Sequence, residues 1–158
     1  MTERFEVSRT IAAEPAAIFR VLTDPQGHVA IDSSGMLQDA TGERVRKVGD
    51  TFVVHMDRQS LNDIPMGKYD VQVTIETFEA DREIAWGIGG VGMDRIGHVY
   101  GYRLEPADDG TLVTQYYDWS RIDESWKPRF PILQEGALRA TLGILDRTVR
   151  RGYPNAAP

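Results

Sequence analysis

Residues Tyr69–Phe78 carry the clearest periodicity in the chain: Tyr69, Val71, Val73, Ile75 and Thr77 alternate with Lys68, Asp70, Gln72, Thr74 and Glu76. A period of two sends alternate side chains to opposite faces, so this segment predicts a half-buried strand. Similar patterning predicts strands at Phe5–Ile11, Met36–Ala40, Thr51–Met56, Glu83–Ile88, Gly97–Glu105 and Thr111–Trp119. The turns between them are short. Ala107-Asp-Asp-Gly110 is a hairpin turn by composition, and Thr41-Gly42 and Gly49-Asp50 punctuate an earlier loop. Strands joined this way predict an antiparallel meander.

Helical spacing is confined to three places. Pro15, Ile18, Phe19 and Leu22 give one buried face to a short helix that Glu14-Pro15 opens and Thr23-Asp24-Pro25 ends. Gln26 to Ile31 forms a second short helix, broken at Asp32-Ser-Ser-Gly35. From Ile132 to about Arg150 the pattern predicts one long helix, with Gly152 and Pro154 as stop signals. On it, Leu133, Ala137, Ala140 and Ile144 form one apolar row, and Leu138, Leu142, Leu145 and Val149 another. Gln134, Thr141 and Thr148 run between those rows, seven residues apart. A polar row inside an apolar face either bonds back to the preceding turn or faces a cavity.

The predicted fold class is therefore α+β. A curved antiparallel sheet of six to seven strands wraps around the C-terminal helix, with two short helices after the first strand. Residues 1–150 read as one domain, and residues 151–158 as a flexible tail.

This element order resembles the helix-grip fold of START lipid-transfer domains, birch-pollen-allergen-like (Bet v 1-like) proteins and bacterial polyketide cyclases. The local text is similar too: Ala16-Ala-Ile-Phe-Arg-Val-Leu-Thr-Asp-Pro25, Ile31-Asp-Ser-Ser-Gly35 and Gly110-Thr-Leu-Val-Thr114. The chain looks most like the polyketide cyclase/dehydrase group of that superfamily, over roughly residues 3 to 150. The resemblance implies a cavity between sheet and helix. Members carry lipids, cyclise polyketides or assist chaperones, and the matching motifs are structural, so no catalytic residue transfers with them.

Composition narrows the partners. The 158 residues are 41% hydrophobic and 27% charged, ordinary values for a globular chain. With 18 basic and 24 acidic residues the formal charge is -6, which disfavours a phosphate backbone and so nucleic acid. Arg147, Arg150 and Arg151 form a local basic cluster, read as cations favoured at a helix C-terminus. Cysteine is absent, so disulfide and thiolate chemistry are excluded. The N-terminus lacks the apolar core of a signal peptide, and no apolar run is long enough to span a membrane, so the expected location is cytoplasmic.

Gly87-Ile-Gly-Gly-Val-Gly92 matches the G-x-G-x-x-G dinucleotide fingerprint literally. That fingerprint requires a helix to receive the pyrophosphate, whereas His98-Val-Tyr-Gly-Tyr-Arg-Leu104 follows with strand alternation. A glycine-rich hairpin or bulge is the expectation, with no nucleotide and no other cofactor. The three histidines, His28, His55 and His98, show no metal-ligand spacing, and no metal is expected. His28 is placed on a short surface helix and His55 on the solvent face of its strand.

His98 shares a strand face with Tyr100 and Tyr102, pointing to the core side. Trp86 lies on one face with Ile84 and Ile88; Tyr117 and Trp119 share a face with Val113, with Gln115 the polar member of that row. Phe52, Val54 and Met56 complete an apolar and aromatic set. Each is a good core former alone. Together with Gln134, Thr141 and Thr148 they are the candidate ligand-binding residues, and His98 and Tyr102 the candidate catalytic ones.

Three functions fit. The first is binding of a small hydrophobic molecule, such as a lipid, polyketide or aromatic compound. The second is a cyclase or dehydratase in which His98 moves a proton and Tyr100 or Tyr102 donates a hydrogen bond. The third is a protein-interaction domain using Trp126, Lys127 and Arg129 on the loop before the last helix. A homodimer is left open.

Overall fold

A computed structural model describes residues 2–154. Strand alternation is realised in β1 (Arg4–Ile11), β2 (Leu37–Thr41), β3 (Thr51–Asp57), β4 (Lys68–Glu79), β5 (Glu83–Gly90), β6 (Arg95–Ala107) and β7 (Gly110–Asp118). They form one seven-stranded sheet in the order β1-β7-β6-β5-β4-β3-β2. Every pairing is antiparallel. The described residues add three α-helices: α1 (Pro15–Leu22), α2 (Pro25–Ile31) and α3 (Glu135–Arg150). Proline opens both α1 and α2, and the Asp24 side chain accepts from the Gln26 amide at the start of α2. This is the expected helix-grip architecture.

The two sheet faces differ in kind. The outer face carries charge: Arg103 donates to Glu6, and Arg4 reaches both Glu6 and Asp118. The inner face carries the core, including Val7, Ile11, Phe52, Val54, Val73, Ile75, Ile84, Leu104 and Val113. Helix α3 covers the β1–β7 side, burying Leu138, Leu142 and Leu145, while Arg9 of β1 donates to the Asp146 carboxylate of α3 at 2.8 Å. Helices α1 and α2 cover the rest, with Phe19 against Phe78 and His28 against Phe52.

Several expectations are corrected here. Strict alternation placed Thr77 with Ile75, but the β4–β5 register shifts between Ile75 and Thr77. That bulge turns Phe78 onto the inner face, where its ring meets Phe19 at 5.4 Å. Helix α3 begins at Glu135 rather than Ile132, so Gln134 is an exposed cap residue outside the helical row. His28 lies in the core: Pro25, His28 and Ile31 share a buried face of α2 at a spacing of three. The segment after α3 is tied down as far as the structure describes it, since the Tyr153 hydroxyl donates to Asp24 at 2.9 Å. The remainder of the expected tail, residues 155–158, lies outside the described residues.

One close approach fixes the outer face. A Cβ on Gly101 would lie 2.3 Å from the Tyr116 ring. That ring is held by its hydroxyl donating to Glu83 at 2.6 Å and by the Arg4 and Arg103 guanidinium groups over its face at 4.6 and 5.2 Å. Gly101→Ala is expected to cost about 1–3 kcal/mol in urea unfolding through overpacking. In a Tyr116→Ala background the same change is expected to cost less than about 1 kcal/mol, because the double-mutant cycle isolates this contact.

Candidate ligand-binding site

The inner faces of β5, β6 and β7 form an aromatic floor. Tyr100 stands opposite Trp86 on one side and Tyr117 on the other; Tyr102 stands between Ile84 and Gln115. The Tyr100 and Tyr117 rings are stacked, 4.5 Å apart and 7° from parallel. Trp86 lies at 24° to Tyr100 and 26° to Tyr102. Cross-strand register thus lays aromatic planes side by side across three strands.

His98 occupies one end of this floor. The Phe130 ring from the loop before α3 covers it at 4.9 Å, with Tyr100 and Tyr117 edge-on at 5.4 and 6.2 Å. The Tyr117 hydroxyl accepts the Ile132 amide at 3.0 Å, which holds that loop down. His98 is 2% exposed, and burial pushes its pKa down to about 4, so the ring is neutral. Its Nδ1 is buried with no hydrogen-bond partner among the described residues.

Gln115 occupies the other end. It is 4% exposed, on the inner face opposite Tyr102 and Val7, and its Oε1 also lacks a partner. Gln115 is the polar member of the row that holds Val113, Tyr117 and Trp119. Its place between Val113 and Tyr117 in strict alternation was the signal that it points inward. Burial also drives the Tyr100 and Tyr102 hydroxyls well above the ordinary tyrosine value, so they remain protonated donors.

Trp86, His98, Tyr100, Tyr102 and Tyr117 therefore meet on one surface, and Trp119 extends it toward Phe5 at 4.9 Å. Phe52 and Val54 are buried on β3, Phe52 beneath His28 of α2, whose ring also meets Trp86 at 4.7 Å. The His28 Nε2 is 2.8 Å from the Leu22 carbonyl, and burial lowers its pKa to about 4. Met56 is half-buried in a surface cleft of about 430 Å³ that it shares with His55, Lys68, Tyr69 and Asp70.

The helical polar row does not converge on this floor. Gln134 is exposed before the helix starts. The Thr141 hydroxyl lies 3.0 Å from both Ser33 Oγ and the Ala137 carbonyl, the back-bonding alternative of the sequence reading. Thr148 lines a separate cleft of about 390 Å³ with Gln26, Arg147, Arg151 and Tyr153. The reason is geometric: α3 rests over β1 and β7, and its deepest side chains are leucines.

His55 behaves differently from the other two histidines. Its Nδ1 is 2.8 Å from Asp70 and its Nε2 2.7 Å from Thr41 Oγ1, across the outer faces of β2, β3 and β4. The row is exposed and ties strand edges together, a contribution that water screens heavily.

The glycine-rich segment is part of the β5–β6 hairpin. A Cβ on Gly87 would lie 2.1 Å from Glu76 Oε2, which pairs with Arg95, and Gly92 turns with φ +74°. Among the described residues no group of three His, Asp or Glu side chains converges as metal ligands. No described helix is long and apolar enough to cross a membrane.

Residues 2–150 match the family model described as polyketide cyclase / dehydrase and lipid transport. The chain belongs to that family. Solved structures share its fold. An AHSA1-like protein from Aeromonas hydrophila is 15% identical with a TM-score of 0.65, the match covering 98% of this chain and 99% of that one. A protein from Nitrosomonas europaea is 15% identical with a TM-score of 0.67, covering 94% of each chain. One from Mycobacterium smegmatis is 15% identical with a TM-score of 0.66, covering 94% of this chain and 92% of that one. No curated protein matches the chain.

Titration with NAD or ATP is expected to leave the melting temperature unchanged, where a ligand at 100 times its Kd would add about 2.7 kcal/mol. The buried histidines set a pH dependence. In the unfolded chain both imidazoles take up protons near 6.5; in the fold they do so only near 4. Between those values the unfolded state binds more protons, so stability is full above 6.5 and falls as pH drops toward 4, by on the order of 3 kcal/mol at most per histidine. Thermal melts should show the decline, and imidazole NMR shifts should report both rings neutral at a pH of about 5.5.

Proposed function

We propose that this protein binds a small, largely apolar and uncharged molecule against the aromatic floor formed by Trp86, Tyr100, Tyr102 and Tyr117. One observation carries the reading: His98 Nδ1 and Gln115 Oε1 are buried, with no hydrogen-bond partner among the described residues, at opposite ends of that floor. Buried polar atoms cost stability when unpaired, so a fold that retains two on one surface has a use for them. An occupant with hydrogen-bonding groups at its ends satisfies both, while its body stacks on the rings. Membership of the cyclase and lipid-transport family supports the same reading.

A second reading is proton transfer by His98 on the bound molecule. Its support is the neutral ring: a free imidazole beside protonated tyrosine hydroxyls is a base next to hydrogen-bond donors. Under this reading His98→Asn abolishes turnover of an added polyketone while leaving its binding intact.

The binding reading is tested through the unpaired atoms. His98→Leu and Gln115→Leu each remove an unsatisfied group, so each is expected to raise stability by about 1 kcal/mol in urea unfolding. Wild type is expected to bind 1-naphthol at least about tenfold more tightly than naphthalene, a difference of about 1.4 kcal/mol. The double variant His98→Leu/Gln115→Leu should erase that preference, because the single hydroxyl pairs with one of the two atoms. Tyr102→Trp, which enlarges a side chain of the floor itself, should weaken binding of both ligands, with circular dichroism checking that the domain stays folded. Equal binding of the two ligands by the wild type, or leucine variants that are less stable, would count against the floor as the site.

A further inference from the structure

The large exposed apolar side chains are not scattered. Leu61, Ile64 and Met66 lie on the β3–β4 connection and are 40%, 49% and 50% exposed. Val91 and Met93 lie on the β5–β6 turn, at 52% and 72%. Trp126 and Ile132, at 37% and 38%, lie on the segment between β7 and α3. In the strand order these three connections sit side by side at one end of the sheet. Only Val48 of the large apolar residues so exposed among the described residues lies elsewhere, on the β2–β3 connection.

On β3, β4 and β5 the inner face is also less sealed at this end. Ile11, Ile75, Ile84 and Val113, toward the opposite end, are fully buried, whereas Met56, Tyr69, Val71 and Ile88 are only half-buried. His98 lies beneath the third connection, under Phe130.

Charge selects the occupant. Residues 58–67, 91–94 and 119–134 together hold four cations and four acids, so these connections are neutral while the chain carries -6. Trp126 has Arg129 stacked over its ring at 5.4 Å, and Lys127 and Arg121 are near neighbours in sequence. An aromatic ring with one apolar side and a cation on the other suits a headgroup–acyl boundary. Aliphatic side chains spread over three separate loops suit a fluid apolar phase, which needs no fixed complementary shape.

We propose that this end of the sheet docks on a lipid bilayer with zwitterionic headgroups, placing the less sealed end of the inner face against the lipid. The inference goes beyond ligand binding and does not depend on it. The contact is hydrophobic, so it persists at high salt, and anionic lipid does not strengthen it because the rest of the protein is acidic.

Intrinsic fluorescence reads the docking directly. Of the three tryptophans, Trp86 and Trp119 are 7% and 5% exposed, leaving Trp126 as the one that changes environment. Phosphatidylcholine vesicles should blue-shift the emission and float the protein, in low salt and in about 0.5 M salt alike. Trp126→Phe should remove the shift but keep most of the flotation. Ile64→Ser combined with Met93→Ser should cut the bound fraction at least about tenfold, since each removes a large apolar side chain from the contact. Circular dichroism should show both variants folded. Absence of flotation and blue shift would overturn the proposal. So would flotation only on phosphatidylglycerol vesicles, or a concentration-dependent dimer dispersed by the same serine substitutions.

Discussion

Strand β1 pairs with β7 through an unbroken antiparallel register from Arg4 opposite Asp118 to Ile11 opposite Thr111. The paired residues are 100 to 114 positions apart, from Ile11 opposite Thr111 to Arg4 opposite Asp118. Closing so long a loop is entropically costly, and the ladder with its apolar inner row must offset that cost. Everything placed on the inner face follows from it. The pairing completes the sheet, puts Val7 opposite Gln115 and Phe5 opposite Tyr117, and sets Arg9 where it can meet Asp146 of α3. Without it the helix has no concave surface to rest on.

The two sheet faces then reach opposite solutions for polar groups. On the outer face Glu6, Arg4, Arg103, Tyr116 and Glu83 form a connected network, and water screens what they leave unpaired. On the buried inner face His98 Nδ1 and Gln115 Oε1 have no hydrogen-bond partner among the described residues. A core selected for stability alone would carry leucine or phenylalanine there, as its neighbours do. The conflict is local. Aromatic and aliphatic neighbours pack around both side chains, while one polar atom of each is left without a partner among the described residues.

Electrostatics at this surface is uncharged throughout. Burial holds His98 neutral and the Tyr100 and Tyr102 hydroxyls protonated, so the floor offers hydrogen bonds without fixed charge. An ionised group brought there would have no opposite charge to compensate its desolvation. The same burial that shapes the site makes the fold sensitive to acid through His98 and His28.

Local pattern by itself determined the elements. Period-two alternation marked all seven strands, the proline at 15 opened α1, and the order of elements carried the resemblance to helix-grip proteins. It also put His98, Tyr100 and Tyr102 on the inner face, because alternation from Leu104 leaves no other choice. Tertiary structure decided what alternation does not encode. The bulge at β4 exchanged Thr77 for Phe78, since one unpaired residue resets the period and only the partner strand reveals it. His28 went into the core because Phe52 and Trp86, distant in sequence, close around it. The helical row of Gln134, Thr141 and Thr148 came apart because a late helix start and the lie of α3 over β1 and β7 are set by packing, not by helical period. Whether a buried polar atom has a partner is decided by which strands neighbour it, and that is why the inward place of Gln115 was legible from alternation but its unpaired Oε1 only from the fold.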